Sequence, residues 1–182
     1  MKSLTLLFLL TMLLYSCKEI SFPEPQPHGV IPLQEIPKGL HGNYVGMDES
    51  GDDTDTLIIE SWGYRFKNTN GKDWLGKGTI SDSLVIKYFQ NYYFVNFRSG
   101  DQWILRLIKQ RPGGSIEFLS IPVSDDTKRK EILRKLSRKI GVKAIEKNGD
   151  TFYQINPSNE QMMQLIKDGF FTGSELTRVS KR

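Results

Sequence analysis

The stretch Ser83–Arg98 reads SLVIKYFQNYYFVNFR, and its alternation decides the fold. A two-residue turn at Gln90-Asn91, where asparagine tolerates positive φ, sets Leu84 opposite Phe97, Ile86 opposite Val95 and Tyr88 opposite Tyr93. Every residue of that face is apolar or aromatic. The other face carries Val85, Lys87, Phe89, Tyr92, Phe94 and Asn96, and is mixed. Side chains alternate along a strand, so a slip of one residue would turn Lys87 into the core. The pattern predicts an antiparallel hairpin in this register, with Lys87 and Asn96 outside.

Downstream, DQWILRLIKQ (101–110) continues the alternation. A three-residue connection at Ser99-Gly100-Asp101 is expected to bring Trp103, Leu105 and Leu107 beside Val95 and Phe97, with Arg106 on the opposite face. Pro112-Gly113-Gly114 marks another turn, and Ile116 to Val123 another strand. Upstream, Asp55-Thr56-Leu57-Ile58-Ile59 recurs as Asp82-Ser83-Leu84-Val85-Ile86, each copy followed by an aromatic-rich stretch. The repeat suggests two similar hairpins in one sheet.

The composition changes at Ser124. SDDTKRKEILRKLSRKIG opens with capping residues and ends on Gly141, and Ile132, Leu133, Leu136 and Ile140 share one helical face. A helix from Asp126 to Ile140 is expected. Val142–Lys147, Asn148-Gly149 and Asp150–Ile155 read as a hairpin. Asn156 as cap and Pro157 at the first helical position open a second helix, which Gly169 ends. Phe170-Phe171 and Leu176–Val179 are expected as short terminal strands. The fold class is α+β: an antiparallel β-meander or partly closed barrel, then a helix–β-hairpin–helix C-terminal region.

The chain opens MKSLTLLFLLTMLLYSCKEI and holds a single cysteine, Cys17, where the apolar run stops. The run from Leu4 to Leu14 is shorter than the roughly 20 residues of a spanning helix and fits the core of a secretory leader. Leu14-Tyr15-Ser16-Cys17 resembles the lipobox of bacterial lipoproteins, with a small residue before the cysteine and an aliphatic one three before it. Tyr15 is bulkier than that pattern prefers. The resemblance implies cleavage between Ser16 and Cys17, a diacylglyceryl group on the thiol and an acylated new amino terminus. Stable anchoring needs more than one acyl chain. Lys18 stands where an aspartate would imply retention in the inner membrane, so the resemblance points to the cell envelope at the outer membrane. With Cys17 lipidated, the rest of the chain has no thiol for disulfides, metal sites or nucleophilic catalysis.

Three segments follow: a signal peptide over 1–16, a lipid-anchored tether over 17–38 and one globular domain over 39–182. Pro23, Pro25, Pro27, Pro32 and Pro37 argue against helix or central strand in the second. His28 is expected to be solvated there. The domain begins at Leu40-His41-Gly42-Asn43-Tyr44-Val45, whose Gly-x-aromatic start is similar to that of lipocalin-like barrels. That resemblance implies a barrel holding an apolar ligand. His41 reads as the residue leading into the first strand.

Candidate sites are few. Asp48, Glu49, Asp52, Asp53 and Asp55 cluster around a glycine, a donor set that suits Ca²⁺. The spacing is not that of an EF-hand loop, and a solvated hairpin loop is the plainer reading of 48–55. After Asp126 the first helix carries Lys128, Arg129, Lys130, Arg134, Lys135, Arg138 and Lys139 against Glu131 alone. Such a helix either presents a solvated polar face or meets lipid phosphates or an acidic protein. The net charge of +4 does not choose a partner, and nucleic acid is not expected for an exported chain. Phe89, Tyr92 and Phe94 are expected to pack under a helix or second sheet, and Trp62, Trp74 and Trp103 in the core.

No phosphate loop, metal-ligand pair or nucleophile elbow is present in the sequence, and no cofactor is expected. The functional expectation is an envelope-anchored lipoprotein acting as a binding or structural module, with the membrane as partner through Cys17. A lipocalin-like carrier of an apolar or lipid ligand and a carboxylate-dependent envelope hydrolase are the alternatives. A large apolar cavity would favour the carrier, two convergent carboxylates in a cleft the hydrolase, and a filled core with no deep pocket the binding or structural module.

Overall fold

The computed structural model describes residues 18–46, 56–67, 76–147 and 149–179. Cys17, the acidic stretch 48–55, Trp74 and Asn148 lie outside the described residues. The fold is α+β: among the described residues, twelve strands form one mixed, unclosed sheet, and two α-helices pack on it.

The hairpin at the centre has the register its sequence predicts. β6 (Leu84–Phe89) and β7 (Tyr92–Ser99) pair Leu84 with Phe97, Ile86 with Val95 and Tyr88 with Tyr93. Gln90 and Asn91 both take positive φ, 44° and 67°, the pair of values a two-residue turn matching strand twist requires. The next connection is one residue shorter than expected. Ser99 pairs with Gln102, leaving Gly100-Asp101 as the turn into β8 (Gln102–Gln110). That residue reverses the faces of β8. Phe97 lies opposite Ile104 and Tyr93 opposite Ile108, while Leu105 and Leu107 lie opposite Asn96 and Phe94. Trp103, Leu105 and Leu107 thus leave the Val95 side. Ile104, Ile108 and Arg106 take it, and Arg106, expected on the other face, lies opposite Val95.

From β8 the sheet runs in two directions. Its second half pairs with β9 (Ile116–Ser120). Its first half pairs, along the same edge, with β1 (Lys18–Phe22). This corrects the expected tether over 17–38: from Lys18 onward the chain is part of the domain. Phe22 and Gln26 are fully buried. The prolines cluster after β1, where no ladder hydrogen bond is needed.

The second sheet branch curls back. β2 (Gly42–Val45), β3 (Leu57–Glu60), β4 (Gly63–Phe66) and β5 (Lys77–Thr79) form an antiparallel meander. β4 and β5 approach so closely that a Cβ at Gly63 would lie 2.0 Å from the Gly78 carbonyl oxygen. β12 (Thr172–Val179) joins the branches, pairing with β9 through Leu176 and with β2 from Thr177. It is one eight-residue strand rather than two short ones, and Phe171 precedes it.

The helices cover the opposite face. α1 (Asp126–Ser137) is capped by Asp125, whose carboxylate accepts from the Thr127 and Lys128 amides. The Thr127 hydroxyl, which also donates to this carboxylate, and then these amides hold its pKa down to about 2. The helix ends before Ile140. α2 (Asn159–Lys167) starts later than expected: Ser158 is its cap, closing a reciprocal pair with Gln161. Between the helices, β10 (Lys143–Lys147) and β11 (Asp150–Gln154) form a hairpin. It is not a separate unit, because β11 pairs in parallel with β1, which makes the sheet mixed.

Candidate apolar binding site

Two apolar clusters lie on the two faces of β6, β7 and β8. The helix side packs Ile20, Phe22, Phe94, Leu105 and Leu107 against Leu136 of α1 and Met162 and Leu165 of α2. Phe94 is fully buried in this cluster, and Phe89 and Tyr92 are partly buried against it. The inner side is different. There the curled sheet faces itself, and its two branches leave a cavity of about 160 Å³.

Opposite walls of that cavity come from the two copies of the internal repeat. Leu57 and Ile59 of β3 line one side, and Ile86 of β6 the other. Val95, Phe97 and Ile108 continue the second wall, and Tyr64 and Phe66 the first. Every lining residue is aliphatic or aromatic. Tyr64 meets Phe66 and Phe97 edge-on, with centroids 6.3 and 6.0 Å away. Tyr64, Phe66, Tyr93, Phe118 and Leu176 are half-buried, so the wall is not sealed all round. At Tyr93, burial and then the neighbouring Tyr88 hydroxyl push the pKa up.

The floor is built by the segment expected to be a tether. Leu33 N–H donates to Ile86 O at 2.7 Å and Ile36 N–H to Ser61 O at 2.8 Å. The strap therefore bridges the free edge of β6 and the β3–β4 turn. It turns through a short 3₁₀ segment, Lys38–Leu40, and sets Ile36 and Leu40 into the cavity. Tyr44, fully buried, donates to Leu40 O at 2.9 Å, and desolvation raises its pKa.

The same strap covers the outer face of the hairpin. Lys87 and Asn96, expected outside, are buried. Asn96 accepts from Gln26 N–H at 2.8 Å and donates to Gln26 O at 2.9 Å, a two-bond clasp of side chain on backbone. Lys87 donates to Pro25 O and Pro27 O at 2.7 and 2.8 Å. Burial lowers its pKa, with Glu24 opposing. Polar groups on a buried face need such partners, and proline carbonyls are free to supply them. Arg106 and Glu19 make a further nearly buried pair at 2.6 Å, tying β8 to β1.

The remaining candidates fall apart from the cavity. His28, expected in solvent, bonds Glu24 through Nδ1 at 2.7 Å and approaches Asn156 Oδ1 at 3.0 Å through Nε2. Its backbone is clasped by Asn159 at the start of α2. His41 leads into β2, with Nε2 2.7 Å from Ile36 O. Trp62 is 45% exposed at the β3–β4 turn, not core, and Trp103 packs on the helix side. Among the described residues no three His, Cys, Asp or Glu side chains converge to hold a metal. No helix among them is long and apolar enough to cross a membrane. The signal missed in sequence was the strap: Ile36 and Leu40 flank Pro37 without periodicity, so neither read as core.

Comparison with protein-family models, with curated proteins and with solved structures gives no match.

Proposed function

We propose that the chain is an envelope lipoprotein, anchored through Cys17 at the outer membrane, whose curled sheet binds a small apolar ligand. The observation that carries the binding reading is the cavity of about 160 Å³ with only aliphatic and aromatic lining. A cavity of roughly 150 Å³ lined by Leu, Ile and Phe stays dry and admits benzene-sized guests. Water gains few polar partners in such a space, the Tyr64 and Tyr93 hydroxyls being the polar groups among the lining residues, so an apolar guest recovers contacts that the walls otherwise lack. With no charged lining residue, selection rests on size and shape: an unbranched alkyl end or a single ring fits, a sugar or peptide does not. This supports the carrier reading over a purely structural module. Anchoring rests on the leader and on Ser16-Cys17, as argued from sequence.

The ligand test is uptake of benzene, read by calorimetry. Val95→Phe places a ring in the cavity and is expected to remove uptake while circular dichroism stays native. No uptake by the parent, or uptake that Val95→Phe leaves intact, overturns the reading. The anchor is tested by the intact mass of the mature chain. Two or more acyl chains are expected, and none in Cys17→Ser; a mature chain with free Cys17 overturns it.

A further inference from the structure

In the tether reading, Cys17 would hold the domain at a distance from the bilayer. The strand β1 removes that distance. It starts at Lys18, and Lys18 Nζ lies 3.0 Å from Asp126 Oδ1 in the first turn of α1. Arg129 binds the same carboxylate. The point where the anchored segment meets the fold is thus beside this helix.

The helix is unevenly neutralised. Lys128 pairs with Asp125, Lys135 with Glu131 and Lys139 with Asp168. Lys130, Arg134 and Arg138 are exposed and make no ion pair among the described residues. They are spaced i, i+4, i+8, which places them in one outward stripe, opposite the buried Leu136. Like charges at this spacing repel and disfavour an isolated helix. An anionic plane next to the stripe reverses that sign.

We propose that the Lys130–Arg134–Arg138 stripe of α1 rests on the anionic lipid surface beside the anchor, and so fixes how the domain stands on the membrane. The proposal deepens the anchored reading above. Acyl chains would raise the effective concentration of the stripe at the surface, so that a weak electrostatic contact suffices. Each basic residue near an anionic surface contributes a term that salt weakens.

The test omits the anchor, so its outcome is independent of lipidation. A chain starting at Lys18 keeps every described strand and helix, and circular dichroism checks that it folds. Co-sedimentation is measured with phosphatidylcholine vesicles, with and without phosphatidylglycerol, at low salt. Binding only to the anionic vesicles is expected. Changing Lys130, Arg134 and Arg138 together to glutamine should lower the partition coefficient more than about tenfold, since each residue contributes on the order of a fivefold factor. A control with the same charge loss, Lys38, Lys77 and Lys167 to glutamine, should lower it about threefold or less. Absence of binding, binding indifferent to lipid charge, or equal losses in the two triple variants each overturn the proposal.

Discussion

The two faces of the β6–β7 hairpin are both buried, and by different means. The inner face, Leu84, Ile86, Val95 and Phe97, is covered by the far branch of its own sheet. The outer face is covered partly by helices and partly by the strap that follows β1, which meets Lys87 and Asn96 through carbonyl and amide groups. The inner face is apolar and leaves space. The outer one carries Lys87 and Asn96, each bonded to the strap. A polar residue at an alternating position therefore records the chemistry of what covers it, not that it is uncovered.

The largest expected effect tests the inner face. Val95→Lys puts a cation against the aliphatic and aromatic cavity wall and directly opposite Arg106, a like charge, and should cost about 3–5 kcal/mol or prevent folding. Urea denaturation measures it. A loss below about 1 kcal/mol would mean that the cavity admits water or lets the ammonium reach solvent, and would break the contrast between the faces.

Next comes the tie between β1 and the sheet. Glu19→Ala leaves Arg106 nearly buried without its carboxylate, and should cost about 2–3 kcal/mol. The residue lies in the stretch whose prolines suggest a tether, where a substitution would cost nothing. Limited proteolysis should show cleavage around Phe22 rising in parallel. A chain as stable as the parent would return residues 18–38 to the status of a tether.

Smaller again is the clasp. Asn96→Ala removes both bonds to the Gln26 backbone at a site with no exposure, and should cost about 1–2 kcal/mol. Amide exchange should accelerate at Gln26 and His28 more than at Val95. Equal acceleration at all three would show that the strap and hairpin open as one unit, and would sharpen the comparison into a single cooperative layer.

What the sequence disclosed follows the same division. The register of Leu84–Phe97 was legible because alternation and Gln90-Asn91 act locally. So were α1, from Asp125 and its Ile/Leu stripe, and both arms of the β10–β11 hairpin. The faces of β8 were not, because the choice between a turn at Gly100-Asp101 and one that includes Ser99 is a matter of one residue. The second helix was misplaced because Asn156-Pro157 and Ser158 both offer capping chemistry; Asn156 is drawn off by His28 and Ser158 gains Gln161. The cavity was hidden for a deeper reason. Its walls read as ordinary core residues, and whether core residues meet or leave a gap depends on the curl of the whole sheet. Its floor comes from Ile36 and Leu40, whose neighbours Pro37, Lys38 and Gly39 carry no strand or helix period.

The smallest effect concerns the floor of the cavity and is read as a pH dependence. Tyr44 is fully buried, and its hydroxyl donates to Leu40 O. Burial raises its pKa above the ordinary 10.0, despite Arg178 nearby. In the folded chain the proton is held more tightly than in the unfolded one, so the associated stability is complete below pH 10 and is lost as pH rises through the folded value. Tyr93 acts in the same sense. Lys87 acts in the opposite one: its pKa is lowered from 10.5, so the cost of its buried charge is relieved as pH climbs toward that value. Tyr44→Phe should cost about 1 kcal/mol at pH 7 through the lost bond, and its stability should then fall less steeply than the parent's above pH 10. Measuring both in the Lys87→Met background removes the opposing term. Parallel curves for Tyr44→Phe and its parent in that background would mean that the Tyr44 hydroxyl meets solvent, and that the strap does not close the cavity at Leu40.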